Sequence, residues 1–596
     1  MIVRMTKYSF VVLSQELDSF LLKLQELGMM DITRSVRPID QNSKEMVEVS
    51  SRYKSAISLL GRLAKECEGI TPIATEASDD QLLQTVEKVF AAKDEAVALR
   101  AQLLRDIQES EVWGEFSTTD IERLHQLGFQ PHFYAVSAKR YQQSWEQEYP
   151  LQILNTTSSK VYFTIVAPVS EEFTFPIQES SFPQKPASEL RAELKEVEQR
   201  LLEIRGRIAG FITQTGRLQQ INERLLNELD LYLASVASVK EGEETISVLE
   251  GFAPTSEDAA ICEFLDSTSA LYITEKATQE DNPPVKLKNN WFARAFEPIG
   301  SLYVLPKYDE LDLTPFYAPF YMLFFGLCLG DMGYGLLLVI AGLVAMFALP
   351  KFRGYGQLVF WLGIGSLVMP LLSGTFFGMK LAEIIPSMPD DIKGLFFSDL
   401  KMFWFAIIFG IFQIVFAKVM RGIDCLRRKM WDNALTNFGW ALVVTWCAFA
   451  YAGMEMGTNL LPPMVSNVIG IVGLVLVLFC SKPTKFFLLR PVMGIISLYD
   501  ITGFFGDVLS YIRLFGLATS GGILGFVINS ISMTLGEVPY IGWLLMIIML
   551  IIGHIFVMLL SSLGAFVHPL RLTFIEFYKN AGFEGGGRAY NPLKKK

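Results

Sequence analysis

From Leu514 to Gly536 the chain carries no charged residue, and Arg513 stands immediately before that stretch, inside a longer apolar segment of residues 497–535. At 1.5 Å of rise per residue, a helix over this segment outreaches a hydrocarbon layer about 30 Å thick. A cation held in hydrocarbon costs from about 3 to more than about 10 kcal/mol. Arg513 therefore either snorkels to a headgroup, closes a static ion pair or serves a function, and ionisable residues within spanning segments point first to function.

Further apolar runs cover 316–349, 357–379, 400–420, 434–453, 463–480 and 541–570. From Phe316 onward the chain holds 20 Lys+Arg against 13 Asp+Glu, which leaves 32 against 49 for residues 1–315. An acidic first half thus precedes a sparsely charged membrane half, and the acidic balance argues against a nucleic-acid partner. Seven crossings starting from an inside N-terminus would place the basic segments at Lys351/Arg353, 421–429, 482–490 and 594–596 outside, against the positive-inside rule. Breaking 316–349 near Gly330-Asp331-Met332-Gly333 moves all of them inside. Eight crossings with both termini cytoplasmic follow, and the loops at 380–399 and 454–462 face outward. The two short pieces place irregular backbone at membrane depth, which is tolerable where protein covers it. Asp331 is read there as a group that satisfies backbone rather than an ion ligand.

The last hairpin is over-long: 500–535 gives roughly 54 Å of helix and 541–571 roughly 46 Å. Both helices should tilt or begin outside the bilayer. Arg513 and Arg571 then differ in depth by about 10 Å or less and can share a face.

In the acidic half, residues 6–13 read as a strand and 15–27 as a helix capped at Gly28. Residues 29–33 give a second short strand. Residues 1–42 open a proximal α/β lobe, and 43–109 are outgoing helices with a break near 69–78. A distal α/β lobe fills 110–185, with strands expected at 113–114, 132–136 and 161–169. In the return helix of 186–236, Leu190, Leu194, Val197, Leu201, Ile204, Ile208, Phe211, Leu218, Leu225 and Leu229 alternate at intervals of four and three. That spacing predicts an antiparallel coiled-coil stalk with the outgoing helix, the alternative being two core helices of a globular domain. Residues 237–311 supply two further strands that complete the proximal lobe, then a polar connector, and 312–596 form the membrane domain. The fold class is thus multi-domain: cytoplasmic α/β lobes joined by a coiled-coil stalk, then an all-α polytopic membrane domain of eight helices.

The six cysteines contain no C-x-x-C pair, so neither a zinc site nor a disulfide framework is expected. His125 and His132 lack metal-ligand spacing and are read as structural. No cofactor is implied, and no G-x-x-x-x-G-K-[ST] run occurs, so ATP is not held through a P-loop. The N-terminal residues do not form a signal peptide.

Several motifs carry a family resemblance: Leu498-Tyr-Asp-Ile-Thr-Gly503, Asp507-Val-Leu-Ser-Tyr-Ile-Arg513-Leu-Phe, His568-Pro-Leu-Arg571-Leu-Thr-Phe-Ile-Glu576-Phe and Gly585-Gly-Gly-Arg588. Tyr308-Asp-Glu-Leu-Asp312 and Phe325-Gly-Leu-Cys-Leu-Gly-Asp331-Met-Gly-Tyr-Gly335 add to them. With these the chain resembles the membrane stator subunit of V-type and A-type rotary ATPases, subunit a or subunit I. The resemblance implies a non-catalytic, multi-pass protein of the cell membrane. Its implied partners are lipid, a rotor ring of small membrane subunits carrying a carboxylate, peripheral stalk subunits and, indirectly, a soluble ATPase head. It also implies that Arg513 and Arg571 serve translocation of H+ or Na+, with His554, His568, Glu576, Asp507 and Ser510 as half-channel candidates. Four of these have a plainer alternative: a snorkelling cation for Arg571, a surface charge for Glu576, a hydrogen-bonded structural histidine for His554 and a helix-terminal carboxylate for Asp507. The chain departs from the family pattern at Val557, Ser561 and Gln413, which bears on the half-channels. Two other classes compete, a secondary transporter with a regulatory domain and a structural membrane tether. A transporter would show paired broken helices in two related halves, and only one Gly-Asp break is present.

Overall fold

The computed structural model describes residues 1–34, 38–74, 77–169, 173–241, 245–268, 270–386, 389–394, 396–456, 462–481 and 490–595. The basic segment 482–490 and the loop 454–462 lie largely outside the described residues, as does Lys596. The chain divides into two units, one of Met1–Val11, Met29–Asp31 and Glu250–Pro592, the other of Val12–Gly28, Ile32–Leu249 and Leu593–Lys596.

In the second unit, helices Gln41–Leu63 and Asp79–Glu111 run out, and Ala187–Thr213 and Thr215–Val236 run back. The pairs are antiparallel: Arg217 Nε donates to Asp79 at 2.8 Å, Arg100 meets Glu198 at 3.3 Å, and Ser50 donates to the buried Asn222 at 2.8 Å. Leu190, Val197, Leu201, Ile204, Ile208, Phe211, Leu218 and Leu229 are buried along this seam. The return helix is not continuous, because it breaks at Gln214, where the hydroxyl of Thr215 turns back to the Ile212 carbonyl at 2.7 Å. Side-chain hydroxyls that bond to nearby backbone compete with helical winding in this way.

The distal lobe is a three-stranded antiparallel sheet in which Lys160–Pro168 lies between Phe129–Ser137 and Leu151–Thr156. Residues 113–114 are not a strand: Trp113 closes the end of helix Asp79–Glu111 and packs edge-on against Tyr162 with ring centroids 5.1 Å apart. Leu151–Thr156 has no counterpart in the sequence reading. It is a largely exposed edge strand with an irregular register, so its apolar alternation is weak.

In the first unit, Met5–Leu13 pairs antiparallel with Leu271–Lys276, from Thr6↔Lys276 to Val11↔Leu271. Strand Ile246–Pro254 completes the sheet. The hydroxyls of Thr6 and Tyr8 both donate to Asp258, each at 2.7 Å. Lys7 meets Asp281 and Glu250, both at 2.9 Å. The connector is not merely polar. It contains helix Trp291–Ser301, whose Ala295, Phe296 and Ile299 are buried, and Tyr317 donates to the Phe296 carbonyl at 2.8 Å.

The rest of this unit is helical. Thr314–Leu329 and Met332–Ala348 are short apolar helices. Among the described residues, Pro350–Leu371, Asp399–Arg427, Trp431–Met454, Pro463–Cys480, Arg490–Gly536 and Gly542–Ala581 are long and apolar enough to cross a membrane. Two runs are less regular than the sequence suggests. The run 357–379 leaves its helix after Val368 and folds into a small hairpin, Thr375–Phe376 against Met379–Lys380. The segment 497–535 is a succession of Leu498–Asp500, Ile501–Ser510 and Ile512–Gly536, with the break at Tyr511.

The ion pair with Lys7, joined by the hydroxyl and N–H of Thr278, pulls the Asp281 carboxyl down from its ordinary 3.8 to about 2. A depressed carboxyl stabilises the fold fully above its unfolded value and loses that contribution as pH falls through its folded one. Acid titration of the full chain should therefore show destabilisation between about pH 4 and about pH 2 that Asp281→Asn lacks, read as the shift of thermal midpoint with pH.

Candidate functional site: the arginine helix and its surroundings

The helix bearing Arg513 begins at a break with a visible cause. Tyr511 N–H donates to Val508 O at 3.1 Å and Leu514 N–H to Tyr511 O at 3.0 Å, so the winding tightens by one residue there. The Tyr511 ring is fully buried against Gly410, where a Cβ would stand 2.2 Å from the ring, and its hydroxyl donates to Gln413 Oε1 at 2.8 Å. Helix Asp399–Arg427 thus grips the chain two residues ahead of Arg513.

Arg513 makes no ion pair among the described residues, and its Nη1 is buried without a hydrogen-bond partner there. Its charge acts on Cys328, near the end of the first short helix, and on His568 of the last helix. Arg571 acts on His568 as well, so the two guanidinium groups and this imidazole share one region. Arg571 itself is exposed.

Beyond Arg571 the last helix changes winding. Leu572–Phe577 form a π-helical stretch, a form that recurs at functional sites. Pro569, one turn upstream, removes a backbone donor from the ladder and is the visible sequence cue. Within the stretch Glu576 is 1% exposed, so it is no surface charge. Its Oε2 has no hydrogen-bond partner among the described residues, while the Ser510 hydroxyl and the charge of Arg571 both act on the carboxylate. The Ser510 hydroxyl also donates to Gly506 O at 3.3 Å.

Asp507 is not drawn to Arg513. Its oxygens accept from Lys579 at 3.1 Å and from Asn580 at 2.9 Å, which ties Ile501–Ser510 to the terminal turn Tyr578–Ala581. Lys579 and Asn580 had no part in the sequence reading. They follow Glu576 by three and four residues, the helical spacing that would have marked them.

His554 lies apart from this group, on the last helix. Its Nδ1 is 2.8 Å from the Tyr334 hydroxyl and its Nε2 is 3.0 Å from Asn529 Oδ1. Asn529 Nδ2 donates to the Phe377 carbonyl at 2.7 Å. At the Gly330-Asp331 break, Asp331 caps helix Met332–Ala348 and accepts four backbone N–H groups: Gly333 at 2.8 Å, Tyr334 at 3.2 Å, Phe377 at 2.9 Å and Gly378 at 2.7 Å. Gly330 takes φ +64 with a Cβ position 3.0 Å from the Ala518 carbonyl oxygen, so a side chain there would be both strained and crowded.

A helical half with membrane-length apolar helices, a half-buried arginine without an ion pair among the described residues, and interior carboxylates points to a polytopic membrane protein with a polar interior. Residues 152–357 match the profile of the V-type ATPase 116kDa subunit family. The A-type ATP synthase subunit I of Methanocaldococcus jannaschii is 28% identical over 396 residues, covering 61% of this chain and 55% of that one, so the chain spans about half the length of that relative. The V-type ATP synthase subunit I of Borreliella burgdorferi is 24% identical over the whole of both chains. A solved cytoplasmic N-terminal domain of subunit I, homolog of subunit a of V-ATPase, aligns with 45% of this chain and 100% of its own at 16% identity. Its TM-score is 0.20, too low to bear on the fold. The chain is thus similar to subunit I of V-type and A-type ATP synthases.

Each buried donor left unmade costs about 1–3 kcal/mol. Asp331→Ala orphans four of them and should abolish the monodisperse peak in detergent size-exclusion chromatography. Asp331→Asn keeps one acceptor oxygen and should retain part of it.

Proposed function

We propose that this chain is the non-catalytic membrane stator of a V/A-type rotary ATPase, the catalytic sites lying in other subunits. Its Arg513 acts on the carboxylates of a passing rotor ring. The observation that carries this is the half-buried Arg513, whose buried Nη1 has no hydrogen-bond partner and which closes no ion pair among the described residues. Guanidinium stays charged in a protein, so its cation persists at low dielectric, where a lysine would readily lose its proton. A rotor carboxylate that approaches it is driven to ionise, because a nearby opposite charge favours the charged form. Its H+ or Na+ leaves on one side and is replaced from the other, with no straight leak between the two half-channels.

Arg571, His568, Glu576 and Ser510 line the cytoplasmic half-channel in this reading, and Asp507 holds the helix that leads into Arg513. The two short helices and the six longer ones make eight crossings. Cytoplasmic basic loops then place both termini on the cytoplasmic side of the cell membrane. The antiparallel helices of the second unit serve as a coiled-coil stalk that resists torque, and its lobes dock peripheral stalk subunits.

Arg513→Gln and Arg513→Lys, assembled into the whole complex in vesicles, test the reading. Ion transport driven by ATP should fall to background in the glutamine variant and nearly so in the lysine variant. Coupled transport in the glutamine variant would refute the role of Arg513.

A further inference from the structure

The hydrogen bonds around His554 fix which nitrogen carries the proton. The Phe377 carbonyl can only accept, so Asn529 must turn its Nδ2–H₂ toward it and its Oδ1 toward the imidazole. Asn529 Oδ1 can also only accept, so His554 Nε2 must be the donor. In the neutral ring Nδ1 is then an acceptor, and Tyr334 donates its O–H to it at 2.8 Å. The Asp331 carboxylate closes the circuit by accepting the backbone N–H of both Tyr334 and Phe377. The ring of bonds joins the helix break, the hairpin of residues 373–380, the arginine helix and the last helix.

The groups facing the imidazole give it no reason to charge. From the hairpin it meets the Phe377 ring, with centroids 5.5 Å apart, from the second short helix Tyr334, and from the arginine helix Asn529. Among the described residues Asp331 is the charged group whose field reaches it, and both its oxygens are already engaged by N–H groups. The hairpin in turn leaves no slack. Gly378 and Gly525 of the arginine helix touch so closely that a Cβ on Gly378 would stand 2.3 Å from the Gly525 backbone.

We propose that His554 is a positioning residue, held as the neutral Nε2–H tautomer between Tyr334 and Asn529, that seats this hairpin against the arginine helix and does not itself carry the transported ion. The last clause rests on the stator reading above; the tautomer does not.

Nitrogen-15 NMR of the full chain in lipid bilayers, with labelled histidine, reads the state directly. The chain has four histidines, and His554→Gln assigns the signal. The expected result is protonated Nε2 and bare Nδ1 from about pH 5 to about pH 8, the range over which an ordinary histidine titrates. Asn529→Leu should mix the tautomers, whereas Tyr334→Phe should leave Nε2–H in place. An imidazolium growing in over that range, an Nδ1–H tautomer, or an unmixed Asn529→Leu would overturn the proposal. If the variants do not fold, the pH series on the unaltered chain decides, assigned by elimination with variants at the other three histidines. In the assembled complex, His554→Gln should lower the transport rate with no change in the shape of its pH profile. A lost limb of that profile would make His554 an ion carrier. Transport surviving Arg513→Gln would refute the stator reading and leave the tautomer standing.

Discussion

A helix that stops inside hydrocarbon exposes backbone groups that lipid cannot satisfy, and the membrane half of this chain depends on how that problem is met at Asp331. The apolar stretch from Thr314 to Ala348 is too long for one crossing and is broken by Gly330. Asp331 makes the break tolerable. Its carboxylate caps the second short helix and also takes the N–H groups of Phe377 and Gly378, which arrive from a different part of the sequence. One buried side chain thus starts the second short helix and recruits the hairpin. The hairpin then packs on Gly525, so the arginine helix is positioned from a site far along the chain from Arg513.

The arginine helix is held at both ends by different means. Ahead of Arg513, Tyr511 is seated in helix Asp399–Arg427 through Gly410 and Gln413, and Asp507 is clamped by Lys579 and Asn580. Toward its other end, Asn529 joins Phe377 and His554. Between these grips Gly521 and Gly525 keep side-chain bulk off the face that meets the short helices and the hairpin. In the proposed reading such fixing matters, because the effect of Arg513 on a passing carboxylate falls steeply with distance and screening.

The alternation of four and three from Leu190 to Leu229 specified a buried seam, and periodicity suffices for that because each position contributes independently. The break at Gly330-Asp331 was likewise legible, since loop charge and helix length both demanded it. What escaped were features set by partners remote in sequence. Nothing near Ser510 announces that Tyr511 tightens the helix, because the cause lies at Gly410 and Gln413. Nothing near Asn529 announces Phe377. The helix Trp291–Ser301 was lost in a polar connector because its apolar side is only a few residues wide. The candidate residues fell into two groups that spacing alone could not separate: Arg513, Arg571, His568, Glu576 and Ser510 in one region, and His554 in a hydrogen-bonded ring elsewhere.

The chain also buries a cation away from Arg513, and charges of both signs act on it. Lys418 is 8% exposed and lies 4.9 Å above the Phe504 ring, with the fields of Asp500 and Asp507 already upon it. An aromatic face and these carboxylates favour its charge, while burial and the neighbouring Arg421 weigh more heavily against it. The field of Arg513 reaches Cys328 and His568, and it closes no ion pair among the described residues. In the proposed reading, a visiting rotor carboxylate supplies the opposite charge that Arg513 lacks among the described residues.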